Sequence, residues 1–300
     1  MISALLAILS SALTGGGDFT AGVSSRRIGA IPTSFWSYLA ATVVLLGIFP
    51  FIAAVWTPES VTAGLVAALC GGMAYVAFYG SLALAPMGVA TAIVAASQAV
   101  VPVAIGVGWN GESMSAFGWI GVALAVLGAV IVGAAEGGRG RAALSAVLLA
   151  VFAGVAFGAT VVALSAVPSS SGLIAPTIEM AGGLVLIAVL LGLVRRSARV
   201  RAFAASIGLH REPGPGGTAG LTAGSGIGMA LLSGLLQGVA IVVLMLALWG
   251  GQLSVVGVIL CLYPIMPALL ARVFLKERLT RLHVTGIGIA LLGCLLLGAA

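Results

Sequence analysis

Apolar runs of about 20 residues, the length that crosses a bilayer as a helix, follow one another along this chain almost without interruption. Hydrophobic residues make up 61% of the chain and charged residues 7%, and the mean hydropathy is +1.27. A soluble fold of 300 residues would need a charged surface that this composition does not supply. Strands are excluded, because the runs are too long and lack the polar alternation of a barrel wall. The fold class expected is an all-α integral membrane bundle.

Breaks at Gly, Pro, Ser and charge clusters divide the chain into ten expected spans. In the first half they cover 2–23, 31–55, 60–84, 87–109 and 115–135, and in the second 142–165, 172–194, 225–249, 252–275 and 282–300. A signal peptide is the competing reading of the first run, but its arginines follow the apolar stretch instead of preceding it. It reads as the first span.

Two stretches 165 positions apart, as from Pro102 to Pro267, share a scaffold. Pro102, Glu112, Gly121, Leu127, Gly128 and Gly133 recur as Pro267, Glu277, Gly286, Leu292, Gly293 and Gly298. Each copy is a proline-bearing apolar span, a short loop with one glutamate, and a glycine-punctuated second span. The duplication sets the expected organisation: a first repeat over 1–136, a second over 137–300, and a basic linker at 195–224. Five spans per repeat is an odd number, so the second copy would enter the membrane from the opposite side, giving inverted repeats of the kind secondary transporters use.

The basic residues support that geometry. They cluster at Arg26–Arg27, Arg139–Arg141, Arg195–Arg211 and Arg272–Arg281, separated by two or four spans, so all fall on one face. The positive-inside rule makes that face cytoplasmic and both termini external. Trp56, Trp109, Trp119 and Trp249 lie near span ends on the other face, where an aromatic belt belongs.

The segment LYPIMPALLARVFLKERLTRLHVTGIGIALLG at 262–293 resembles the closing hairpin of an EamA-like repeat in the drug/metabolite transporter superfamily. The more divergent first copy, ASQAVVPVAIGVGWNGESMSAFGWIGVALAVLG at 96–128, matches the same pattern. The resemblance implies ten helices and a carrier of small metabolites, with a central cavity lined by the middle helices of each repeat. It implies no particular solute.

Few residues can carry chemistry inside such a bundle. Glu179, about two turns into the seventh span, is a candidate for proton or ion coupling, since burying an unpaired carboxylate costs several kcal/mol. The competing reading has it reach water through the loose loop Pro168–Gly172. Asp18 is a second coupling candidate, although it lies within roughly two turns of Arg26 and Arg27 and would be expected to pair with them. Glu112 and Glu277 would order their hairpin loops by hydrogen-bonding nearby backbone amides or, for Glu277, by pairing with Arg278 or Arg281.

Polar residues near mid-span form the expected solute site: Gln98, its repeat counterpart Tyr263, Gln237, and Tyr75 with Tyr79 at i, i+4 spacing. Their alternative role is interhelical hydrogen bonding worth about 0.6 kcal/mol per bond. Pro102 and Pro267 each free a backbone carbonyl one turn earlier. With Gly15, Gly16 and Gly17, which weaken a helix, they are the hinge candidates. Most other glycines, such as Gly154/Gly158 and Gly234/Gly238, fit close helix packing. In the linker, Val200, Phe203, Ala204 and Ile207 fall at amphipathic spacing, so a short helix there would lie on an anionic inner leaflet.

Neither a zinc spacing, a nucleotide loop nor a nucleophile triad is present. The expectation is therefore no enzyme, no cofactor, no metal site and no nucleic-acid partner, the net charge of +6 coming from loops. The leading function is a gradient-driven secondary transporter, in the direction of export, of amino-acid-like or drug-like solutes. The alternatives are a non-transporting membrane scaffold and a lipid-modifying enzyme. Heavy use of Arg, Ala and Gly suggests a bacterial plasma membrane. Oligomeric state is open, and a monomer is compatible with every feature.

Overall fold

The computed structural model describes residues 2–108, 115–137, 141–209, 219–250, 265–277 and 280–299. In chain order the helices are α1 (Ile2–Ile28), α2 (Ala30–Ile48), α3 (Pro58–Leu84), α4 (Met87–Gly108), α5 (Ala116–Gly137) and α6 (Arg141–Ser165). They continue as α7 (Ile174–Arg196), α8 (Ala198–Ser206), α9 (Ala219–Gly250), α10 (Ile265–Phe274) and α11 (Arg281–Ala299). No strand occurs among the described residues. Among the described residues six helical stretches, from Ala30–Phe51 to Gly224–Ala247, are long and apolar enough to cross a membrane, where the sequence leads one to expect ten.

Helix ends follow local chemistry. α1 runs past its expected end at 23 because Ser24 and Ser25 find acceptors, Ser24 donating to the Gly226 carbonyl at 2.8 Å and Ser25 to Gly22 at 3.1 Å. Gly29, with φ 87°, then turns the chain, a conformation that costs a glycine nothing. α2 stops seven residues short of the expected span end at 55, because Pro50 lacks the amide a helix needs, leaving a 3-10 turn over Phe49–Phe51. Thr57 caps α3 reciprocally with Ser60.

Contacts between helices reveal their relative directions. Along α1 and α9 the paired numbers move oppositely: Ser10 donates to Ala240, the Gln237 amide to Asp18, and Ser24 to Gly226. These two run antiparallel. α9 runs parallel to α2, Gly234 meeting Ser37 and Ala40 while Gly238 meets Ala41 and Val44. α3 is likewise parallel to α7, with Gly64 against Ala175 and Ile178 and Gly72 against Gly183 and Leu186. α6 is parallel to α4, where Gly154 lies on Val94 and Ser97 and Gly158 on Gln98 and Val101. The small-xxx-small pairs are thus points of close backbone approach, as expected.

The contact between α5 and α11 is reciprocal. A side chain on Gly128 would strike Ala290, and one on Gly293 would strike Ala125. Residue 290 is the repeat counterpart of 125, and 293 that of 128, so each copy presents the same two positions to the other.

Apolar side chains that face outward, including Leu65, Leu69, Val130, Leu148 and Val185, are half or more exposed. They would be costly in water and suit lipid. The interior instead holds alanines and polar side chains such as Ser24, Thr33, Ser34, Ser37 and Ser81, small enough for close packing and satisfied by hydrogen bonds. Trp56, just before α3, and Trp119, in the first turn of α5, are exposed. Trp109 is outside the described residues.

The linker expected at 195–224 is partly helical. Ser197 caps α8 by accepting from the Val200 amide at 3.4 Å, and Ala204 is buried while Phe203 faces outward. Leu209 then packs under the end of α3 against Gly80.

Candidate functional site

A cavity of about 350 Å³ opens where α1, α3, α4, α6 and α9 meet. Its polar lining is Ser10, Thr14 and Asp18 from α1, Tyr75 from α3 and Gln98 from α4. The rest of the lining is apolar: Phe78 from α3, Phe157 and Val161 from α6, and Ala240, Ile241 and Leu244 from α9. Every polar lining residue precedes residue 100, and every lining residue after 150 is apolar.

Asp18 is the ionisable group of this chamber, buried at 2% exposure. Its Oδ1 accepts a hydrogen bond of 2.8 Å from Gln237 Nε2, which reaches it over Gly17, where the absent side chain leaves room. The expected pairing of Asp18 with Arg26 or Arg27 does not form. α1 is unbroken between them, and eight helical residues span about 12 Å.

Arg26 instead closes the basic end of the bundle. Its Nη2 lies 2.7 Å from Glu277 Oε1, and its guanidinium donates to the Leu82 and Ala85 carbonyls at 3.0 and 2.9 Å, at the end of α3. Glu277 Oε2 also accepts from the Met87 amide at 2.9 Å, at the start of α4, where a helix N-terminus favours an anion. The local turn presents this glutamate. Leu275 and Glu277 both donate to the Ala271 carbonyl, with Lys276 between them at φ 53°. Glu277 thus pairs across 251 positions with Arg26 and not with its neighbour Arg281; Arg278 is outside the described residues.

A second polar group lies at the junction of α2, α3 and α7. Glu179 is buried at 6% exposure, and its carboxylate points at Gly71, where an added Cβ would be 2.8 Å from Oε1 and 3.4 Å from the Tyr38 hydroxyl. The Tyr38 ring packs on Gly183. The reading in which Glu179 reaches water through the 168–172 loop does not hold. Val55 donates to the Ser170 carbonyl at 3.0 Å, and the 52–54 backbone packs on Gly172, covering that entry.

Tyrosines connect the two regions. Tyr38 meets Tyr75 edge to face at 5.3 Å between centroids, and Tyr75 meets Tyr79 at 5.5 Å and Phe157 at 4.7 Å. Of the expected solute residues, Gln98 and Tyr75 line the cavity, and Gln237 holds its carboxylate. Tyr79 lies behind the wall, its hydroxyl 3.3 Å from Ser233 Oγ. Tyr263 is outside the described residues.

The hinge candidates all lie within helices: Gly15, Gly16 and Gly17 in unbroken α1, Pro102 inside α4, and Pro267 near the start of α10. Gly16 and Gly17 are where Leu236 and Gln237 of α9 approach. Ser10, Thr14, Phe157, Val161, Ile241 and Leu244 escaped the sequence reading because small and apolar residues within apolar spans carry no signal of a cavity. Among the described residues no group of His, Cys, Asp and Glu could hold a metal.

No curated protein matches the chain. One solved crystal structure of a protein, 17% identical, aligns over 98% of this chain and 97% of its own with a TM-score of 0.53; at that identity the likeness concerns the fold alone. Residues 1–134 match the EamA-like transporter family, whose members are membrane transporters of small solutes. Over residues 1–134 this multi-pass membrane protein is thus similar to the EamA-like transporter family of the drug/metabolite transporters.

Proposed function

We propose that the chain is a secondary-active exporter of small amino-acid-like or drug-like solutes, working by alternating access between two inverted five-helix repeats, 1–136 and 137–300. The observation that carries this reading is the chamber around Asp18, lined by both polar and apolar side chains. A zwitterion or amine would set its ammonium group on Asp18, bond to Gln98 and Ser10, and lay its apolar body against Phe157, Val161 and Leu244.

Helix packing supports the inversion. Exchanging the first five spans for the second five turns the α1–α9 contact into α6–α3, and α2–α9 into α7–α3, each of which occurs. It returns α2–α7 and α5–α11 to themselves, and both of these occur too. A pseudo-twofold axis in the membrane plane would produce this pattern.

The latch supports alternating access. From Asp18 the cavity extends toward Ser10 and Leu244, away from the Arg26–Glu277 pair. In this state the basic, cytoplasmic face is closed and the chamber leads to the other side. Releasing the latch while the opposite end closes would complete a cycle. α8, with Arg199 and Arg201 beside the outward Phe203, would rest on anionic lipid of a bacterial plasma membrane.

Counterflow in proteoliposomes tests the transport reading. Vesicles loaded with unlabelled leucine or phenethylamine are expected to accumulate the labelled compound transiently, while protein-free vesicles do not. Equal traces for both probes with and without protein would contradict it.

A further inference from the structure

The geometry points to a proton-binding site separate from the solute chamber, formed by Glu179 of α7 with Tyr38 of α2. Its role in coupling rests on the transport reading above, whereas its ability to bind a proton does not.

Three observations converge on this site. Glu179 is buried at 6% exposure and makes no hydrogen bond or ion pair among the described residues. The hydroxyl of Tyr38 is buried without a hydrogen-bond partner. Glycines stand where side chains would otherwise fill the space, Gly71 beneath the carboxylate and Gly183 beneath the Tyr38 ring. Buried polar groups are nearly always paired, so an orphaned tyrosine hydroxyl beside a buried, unpaired carboxylate indicates a ligand.

The ligand must be small and positive. The Glu179 carboxylate and the Tyr38 hydroxyl converge on Gly71, 2.8 and 3.4 Å from where its Cβ would be, and two oxygen-bearing side chains are fewer than a hard metal cation requires. A proton needs only one acceptor, and once on Glu179 it can be donated to the Tyr38 oxygen. Facing the site from α3 are Gly71 and its partly buried neighbour Cys70, with Tyr75 and Tyr79 acting on Tyr38 from farther along that helix. Arg199 and Arg201 of α8 lie beyond the other end of α7, about 25 Å or more along the helix axis. No cation among the described residues takes the place of the proton.

The site lies one tyrosine from the solute. Tyr38 contacts Tyr75, and Tyr75 lines the chamber, so a movement of α7 that wets Glu179 would shift the wall against which the solute rests. The proton is taken from water on one face and returned to water on the other.

Infrared difference spectroscopy of the intact protein in lipid, titrated with protons alone, is the test. A protonated-carboxyl C=O band that grows as protons are added is expected in the wild type and lost in Glu179→Gln. The band should persist but shift in Tyr38→Phe, through loss of its hydroxyl partner. A spectrum unchanged by Glu179→Gln would overturn the assignment, as would loss of the band when sodium replaces choline at constant pH, which would make the site a sodium site. Because no solute is needed, failure of leucine or phenethylamine counterflow would count against the transport reading and leave this result standing.

Discussion

Replacing Asp18 by alanine is expected to reduce phenethylamine counterflow by about 10- to 100-fold, corresponding to loss of a charged hydrogen bond worth roughly 1.5–3 kcal/mol. Asp18 is the ionisable residue of the chamber lining, and burying an ammonium group there without it would leave a desolvated charge unpaired. Asp18→Asn keeps the shape and the Gln237 contact but removes the charge, so it should lose nearly as much with this probe. Gln237→Ala should cost less, because it removes a positioning contact and leaves the carboxylate in place. If Asp18→Ala transported phenethylamine at the wild-type rate, the solute would not be bound in this chamber.

The second large effect belongs to the latch. Arg26→Glu and Glu277→Arg are each expected to favour opening of the basic face, since either places like charges together at the ends of α3 and α4. The pair is partly exposed, with side chains 29% and 14% accessible, so solvent screening weakens it. Even about 2 kcal/mol would change a two-state ratio about 30-fold. Counterflow rates of the two single variants should fall, and the double variant Arg26→Glu/Glu277→Arg should regain much of the wild-type rate. Equal rates in all four proteins would show that the pair is not a gate.

Much of this architecture is legible from the chain because bilayer length, proline and charge act locally. Nine of the ten expected spans overlap a described helix, and the tenth, 252–275, is described only from 265 onward, while six helical stretches among the described residues are long and apolar enough to cross a membrane. Tertiary pairings were less legible. Asp18 was assigned to Arg26 by nearness in sequence, yet helix geometry separates them and the partner lies 219 positions away. Glu277 was likewise assigned to its neighbours, before the turn at Lys276 was known to aim it at Arg26. Gln98 and Tyr75 were identified because a polar side chain inside a membrane has few inexpensive places to be. The apolar lining carried no such mark, since Val161 and Leu244 look the same in sequence whether they face lipid or a chamber.

Alternating access through this chamber is tested most directly by a single cysteine at Val161, introduced after Cys70, Cys261 and Cys294 are replaced by alanine. Val161 lines the cavity, whereas Val130 is 60% exposed on the lipid-facing surface and provides the control position. A membrane-impermeant thiol reagent applied to oriented vesicles is expected to label Val161→Cys from either side, with phenethylamine slowing both reactions, and to leave Val130→Cys unlabelled. Labelling of Val161→Cys from one side alone under every condition, or from neither, would contradict a transporter that works through this chamber.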